Sequence, residues 1–147
     1  MRIYLDNCCY NRPYDDQRQL RISLETQAKL HIQENVRKGN YELVTSFVLR
    51  YEISRNPHTS PMKSITEYID LFTSIYVSAM RQKEVEIIAE DIQKTGVKKM
   101  DSWHVACAIL AEADYFLTTD KRLLKYRTDK IKLINPVDFI SEMEELV

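Results

Sequence analysis

Five short apolar runs, set apart by longer helical stretches, constrain this chain more than any other feature. The runs are Arg2–Leu5, Tyr41–Thr45, Ser74–Ser78, Tyr115–Thr118 and Ile131–Ile134. From Arg18 to Lys38, Leu20, Leu24, Ala28, Ile32 and Val36 recur every four residues, which predicts a helix that Asp15-Asp16 can cap and Gly39-Asn40 ends. Ser46 caps a short helix to Arg55, stopped by Asn56-Pro57, and Ser60-Pro61 opens another that carries Ile65, Tyr68, Ile69 and Phe72. Lys83–Thr95 is amphipathic and closed by Gly96, and Asp101–Ala113 is apolar on most sides, as a buried helix is. A short helix over Lys121–Tyr126 and a last one from Pro136 complete the order β-α-β-α-α-β-α-α-β-α-β-α. Such alternation predicts an α/β three-layer sandwich, its central and mostly parallel sheet flanked by helices. Ligands on such sheets bind beyond the carboxyl ends of the strands.

The 147 residues fit a single domain over 1–147, large enough to need no disulfide or structural metal. The only two glycines, Gly39 and Gly96, are too far apart for a glycine-rich phosphate loop. A net charge of −1 excludes bulk attraction to nucleic acid but leaves room for a local basic groove. Cys8, Cys9 and Cys107 form no CxxC pair, no secretory leader opens the sequence, and no apolar run has membrane-spanning length. Together these predict a cytoplasmic protein with no membrane association.

Two acids directly follow predicted strands, Asp6 after the first and Asp120 after the fourth, so both fall at the carboxyl edge. Asp101 starts the buried helix and Glu52 lies on the short helix after the second strand, each among apolar neighbours. Two readings satisfy such acids. One is capping and salt bridging, with Asp101 as an N-cap and Asp120 paired to Lys121, Arg122 or Lys125. The other is convergence of four carboxylates on Mg²⁺ or Mn²⁺, since crowded like charges need a cation and hard oxygens suit these ions.

The stretch Met100-Asp101-Ser102-Trp103-His104-Val105-Ala106-Cys107-Ala108, followed by Ala113-Asp114-Tyr115-Phe116-Leu117-Thr118-Thr119-Asp120, resembles the signature of PIN domains. These are metal-dependent ribonucleases, many of them VapC-like toxins of toxin–antitoxin pairs. Ile3-Tyr4-Leu5-Asp6-Asn7 is similar to the family's first motif, and Thr45-Ser46 with Glu52 to its second. The resemblance implies an endoribonuclease whose acidic cluster is Asp6, Glu52, Asp101 and Asp120. Asp6 and Asp101 would be the principal ligands of Mg²⁺ or Mn²⁺, and Glu52 would act through water. Thr118 or Thr119 would orient a carboxylate or a bound water, and Asn7 would reach the site from beside Asp6. It also implies RNA as substrate, an antitoxin protein as partner and a homodimer. Cys8-Cys9-Tyr10-Asn11-Arg12-Pro13 departs from the small polar residues usual after the first acid, and the Arg18–Lys38 helix is long.

His104 stands three residues after Asp101, hence on the same helix face, and reads either as an auxiliary at the site or as a hydrogen-bonded residue of a packed helix. Lys121, Arg122, Lys98 and Lys99 adjoin the predicted ligands and are the candidate phosphate contacts, with Arg12, Arg18 and Arg21 a third basic group. The Pro61–Phe72 stripe reads as core or as the seat of the dimer. Two rival functions remain. A haloacid-dehalogenase-type phosphatase wants Asp-x-Asp, whereas Asp6 is followed by Asn7-Cys8. A PIN-like module that binds RNA or protein without cutting would keep the metal and lose the cleavage.

Overall fold

Ile3, Tyr4 and Leu5 are adjacent along one strand and all wholly buried. Successive strand side chains point to opposite faces, so both faces of β1 (Arg2–Leu5) are covered. The computed structural model, which describes residues 1–146, shows how. Five parallel strands lie in the order β3-β2-β1-β4-β5, with β2 at Glu42–Ser46, β3 at Thr73–Val77, β4 at Tyr115–Leu117 and β5 at Lys132–Ile134. Among the described residues, seven α-helices flank the sheet: α1 (Asn7–Asn11), α2 (Leu20–Arg37), α3 (Phe47–Ser54), α4 (Thr59–Phe72), α5 (Gln82–Gln93), α6 (Lys99–Leu110) and α7 (Pro136–Glu145). The architecture is a three-layer α/β sandwich.

The chain steps from β1 through β2 to β3 on one side, then returns to place β4 on β1's other side. Right-handed crossovers therefore put α5 and α6 on the opposite face from α2. The reversal leaves a crevice at the carboxyl ends of β1 and β4. The α6 run Val105-Ala106-Cys107-Ala108 is fully buried, and its small residues let the helix lie close against the sheet. Gly39 and Gly96 take φ of +84° and +100° just past α2 and α5, the left-handed conformation that ends a helix without a Cβ penalty.

Three expectations are corrected. Lys121–Tyr126 forms only one 3₁₀ turn, Leu123–Lys125, while the unforeseen α1 follows Asp6 directly. Asp15-Asp16 do not cap α2; Gln19 occupies that position, and Asp16 accepts the Arg18 N–H at 3.1 Å in a turn instead. The stripe of α2 is not one face, since Leu20 and Leu24 are exposed while Glu25 and Lys29 are buried. Positions four apart advance about 40° around a helix, so Leu20 and Val36 stand roughly 160° from each other. Of the α4 stripe, Ile65 and Ile69 are buried and Met62, Tyr68 and Phe72 pack partly buried against the same cluster, as core residues do.

Candidate metal centre

Asp6 leaves β1 at the crevice and takes an extended φ of −66° and ψ of 155°. One carboxylate oxygen, Oδ1, accepts the Asn7 N–H at 2.8 Å and thereby caps α1. The other, Oδ2, accepts from the Thr118 hydroxyl at 2.8 Å, with the Cys8 thiol 3.5 Å away. Thr118 Oγ1 in turn accepts the Asp120 N–H at 3.1 Å, which ties the first acid to the loop after β4. Thr118 is fully buried, as a residue that orients a carboxylate must be.

A second line of contacts starts inside the sheet. Tyr4 is fully buried, so its hydroxyl must find a polar partner. It finds two, Ser46 Oγ and His104 Nδ1, each at 2.7 Å. Ser46 ends β2 and caps α3 by accepting the Leu49 N–H at 3.1 Å, which fixes the start of the helix that carries Glu52. The other ring nitrogen of His104, Nε2, lies 2.7 Å from Glu52 Oε1. Asp6, Glu52 and His104 thus each offer a ligand atom, and these atoms lie within 4.8 Å of one another.

Asp101 and Asp120 stand around this set rather than inside it. Asp101, in the first turn of α6, has its carboxyl pushed up to about 6 by burial first, then by the charges of Asp6 and Asp120. Asp120 is exposed and directs Oδ1 to the backbone N–H groups of Arg122 and Leu123, at 2.8 and 3.3 Å. Burial lowers the pKa of the His104 imidazole, but its bond to Glu52 and the charges of Asp6 and Asp101 outweigh that and raise it. The donor set suits a divalent cation, since it offers hard carboxylates and one imidazole, crowded with negative charge.

A pH dependence follows. Groups whose folded pKa is raised stabilise the fold at low pH, and the stabilisation is lost as pH rises through the folded value. For Asp101 that loss spans from about pH 4 to somewhat above 6, and His104 acts in the same direction. The metal-free protein is therefore expected to melt at a higher temperature at pH 5.5 than at 7.5, and saturating Mn²⁺ at pH 7.5 to recover the difference. Differential scanning calorimetry at the two pH values, with and without Mn²⁺, measures both.

The remaining sequence candidates divide. Asn7 turns its side-chain oxygen to Asn11 Nδ2 at 3.1 Å, along α1. Thr119 is buried with no partner for its hydroxyl, while its carbonyl accepts from Arg21 at 2.5 Å. Lys98, Lys121 and Arg122 line one cleft with Asp120 and Lys125, and Lys98 and Arg122 also share a neighbouring cleft with Asp101. Lys99 departs from this group, since its amine lies 5.8 Å from the Trp103 ring centroid, in an apolar groove with Phe47, Tyr51 and Met100. The third basic group is occupied elsewhere: Arg12 and Arg21 pair with Glu25, and Arg18 with Asp16. The sequence contained one usable signal for the link that was missed, a tyrosine in the middle of a strand covered on both faces.

No family model and no curated protein matches the chain. Among solved structures it is similar to one described as the crystal structure of FitAcB from Neisseria gonorrhoeae. The TM-score is 0.56 at 18% sequence identity, covering 91% of this chain and 97% of that one. The likeness is one of fold. Among the described residues, no helix is long and apolar enough to cross a membrane.

Proposed function

We propose that the chain is a Mg²⁺- or Mn²⁺-dependent endoribonuclease of the PIN type, a cytoplasmic single-domain toxin whose partner is an antitoxin protein. The observation that carries this reading is the gathering of Asp6, Glu52 and His104 at the sheet edge, with Asp101 close enough to Asp6 and Asp120 to have its pKa raised. Asp6 and Asp101 hold the cation, with Asp120 and Glu52 beside them. Thr118 fixes the rotamer of Asp6, and Thr119 belongs to the loop that presents Asp120. A cation held there supplies charge to offset the scissile phosphate and acidity for the attacking water. Incubation with labelled single-stranded RNA in Mg²⁺, in Mn²⁺ and in chelator tests the proposal. Cleavage that needs metal supports it, whereas RNA that is bound but intact in both metals favours the non-cleaving module.

Lys98, Lys121 and Arg122 are assigned to the RNA backbone, because they share one cleft with Asp120, and Lys98 and Arg122 a neighbouring one with Asp101. Replacing all three by Ala is expected to reduce the slope of log affinity against log salt for single-stranded RNA by about 2, roughly 0.7 per lost phosphate contact. Lys99→Ala is expected to leave the slope nearly unchanged, because its amine faces Trp103. Equal slopes for the triple variant and wild type would show the three to be an idle solvated surface. The homodimer belongs to the same proposal. Light scattering is expected to give twice the 17.4 kDa mass of one chain, and a mass of 17.4 kDa at all concentrations would contradict it.

A further inference from the structure

We infer that His104 is a nitrogen ligand of the cation in this site, and that the site consequently prefers first-row transition-metal dications to Mg²⁺. The inference rests on the metal-dependent reading above and goes beyond it in naming the donor and the order of preference. Three observations converge. His104 is 1% exposed, so its ring has no bulk solvent to address and its direction is set by protein contacts. Tyr4 Oη holds Nδ1 at 2.7 Å, and the two rings meet edge to face with centroids 5.8 Å apart, which fixes both the plane and the rotation of the imidazole. Nε2 is then the nitrogen aimed at the carboxylates, 2.7 Å from Glu52 Oε1 and in one group with Asp6.

Donors bound to one small dication at about 2.1 Å lie no more than about 4.2 Å apart. A mutual spacing within 4.8 Å therefore needs only slight side-chain adjustment to close on an ion. Metal-bound histidines engage their second nitrogen with an outer partner that fixes ring orientation and tautomer. Tyr4 occupies that place here, and its hydroxyl is itself fixed by Ser46 Oγ at 2.7 Å. When the Tyr4 proton goes to Ser46, Nδ1–H donates to Tyr4 and Nε2 presents its lone pair to the site. An all-carboxylate site suits Mg²⁺, but an imidazole donor shifts preference toward Mn²⁺ and, along the Irving–Williams order, further toward Co²⁺ and Zn²⁺.

Pulsed electron paramagnetic resonance of the wild-type protein loaded with Mn²⁺ tests the ligand directly, with no variant required. A nitrogen coupling of directly bound imidazole is expected, and it should change isotope when the protein is grown on ¹⁵N-histidine. The other two histidines, His31 and His58, are exposed. Calorimetric titration tests the preference. His104→Gln is expected to weaken Mn²⁺ binding by at least about tenfold while changing Mg²⁺ affinity by no more than about twofold, and Tyr4→Phe to weaken Mn²⁺ by about tenfold. Mn²⁺ bound to wild type without nitrogen coupling would overturn the inference and leave His104 as a hydrogen-bond partner of Glu52, with the nuclease reading intact. Failure of wild type to bind either ion would defeat the nuclease reading itself, and this inference with it.

Discussion

Asp6→Asn combined with Asp101→Asn is expected to abolish RNA cleavage and Mn²⁺ binding while leaving the fold in place. Asp6 sits in the crevice with Oδ2 held by Thr118, and Asp101, in the first turn of α6, is near enough for the charge of Asp6 to raise its pKa. Asparagine keeps the size of each side chain and removes its charge. The amide oxygen that replaces the Asp6 carboxylate can still accept the Asn7 N–H, so the α1 cap survives. The charge that would draw a cation does not. Removing both charges should also raise the melting temperature of the metal-free protein, because Asp6 and Asp120 are what, after burial, drive the Asp101 carboxyl up to about 6. A loss of cleavage accompanied by a lower melting temperature would mean that the substitutions damaged the scaffold. A double variant with full activity and full Mn²⁺ affinity would remove these residues from the site.

The second large effect lies away from the acids, at Glu25. This residue is 1% exposed on α2 and accepts Arg12 Nε at 2.9 Å and Asn135 Nδ2 at 2.5 Å, with Arg21 Nε at 3.3 Å. Arg21 also donates to the Thr119 carbonyl, so one carboxylate joins α2, the turn after α1, the N-cap of α7 and the loop that carries Asp120. Arg12 keeps Asp15 at 2.7 Å and Arg21 is partly exposed, so removing the carboxylate strands no buried charge; it leaves Arg12 and Asn135 short of an acceptor and costs about 1–3 kcal/mol. Glu25→Ala is therefore expected to lower the unfolding free energy by that amount in urea titration, and Glu25→Gln, which retains an acceptor for Asn135, by clearly less. A change below about 1 kcal/mol in Glu25→Ala would show that the arginines find other partners and that the node is dispensable.

The positions of Asp6 and Asp120 were legible from the sequence because a parallel sheet places every strand's carboxyl end on one edge. Recognising two strands located both acids on that edge without any knowledge of the rest of the fold. Glu52 and Asp101 followed for a related reason, since each lies in the first two turns of a helix that leaves the same edge. The direct link of Glu52 to His104 was not legible. It joins residues 52 positions apart, and it exists because Tyr4, from a third element, turns the imidazole toward α3. Periodicity reports which face a residue occupies and nothing about the rotamer a distant hydroxyl imposes. Glu25 escaped for a different reason. A stripe repeating every four residues drifts around the helix, and charged residues that are buried by mutual pairing carry no apolar signature. Asp120 differs again: it forms no ion pair with Lys121, Arg122 or Lys125, and instead one oxygen accepts the backbone N–H groups of Arg122 and Leu123 while the carboxylate raises the pKa of Asp101.

The proposed chemistry requires a divalent cation held by the carboxylates of this sheet edge. A crystal soaked in Mn²⁺ and measured at the manganese absorption edge tests it most directly. One anomalous peak is expected in the crevice at the carboxyl ends of β1 and β4, within bonding distance of Asp6 and among Glu52, His104 and Asp101. A peak only at exposed surface acids, or none in the crevice at saturating Mn²⁺, would contradict it.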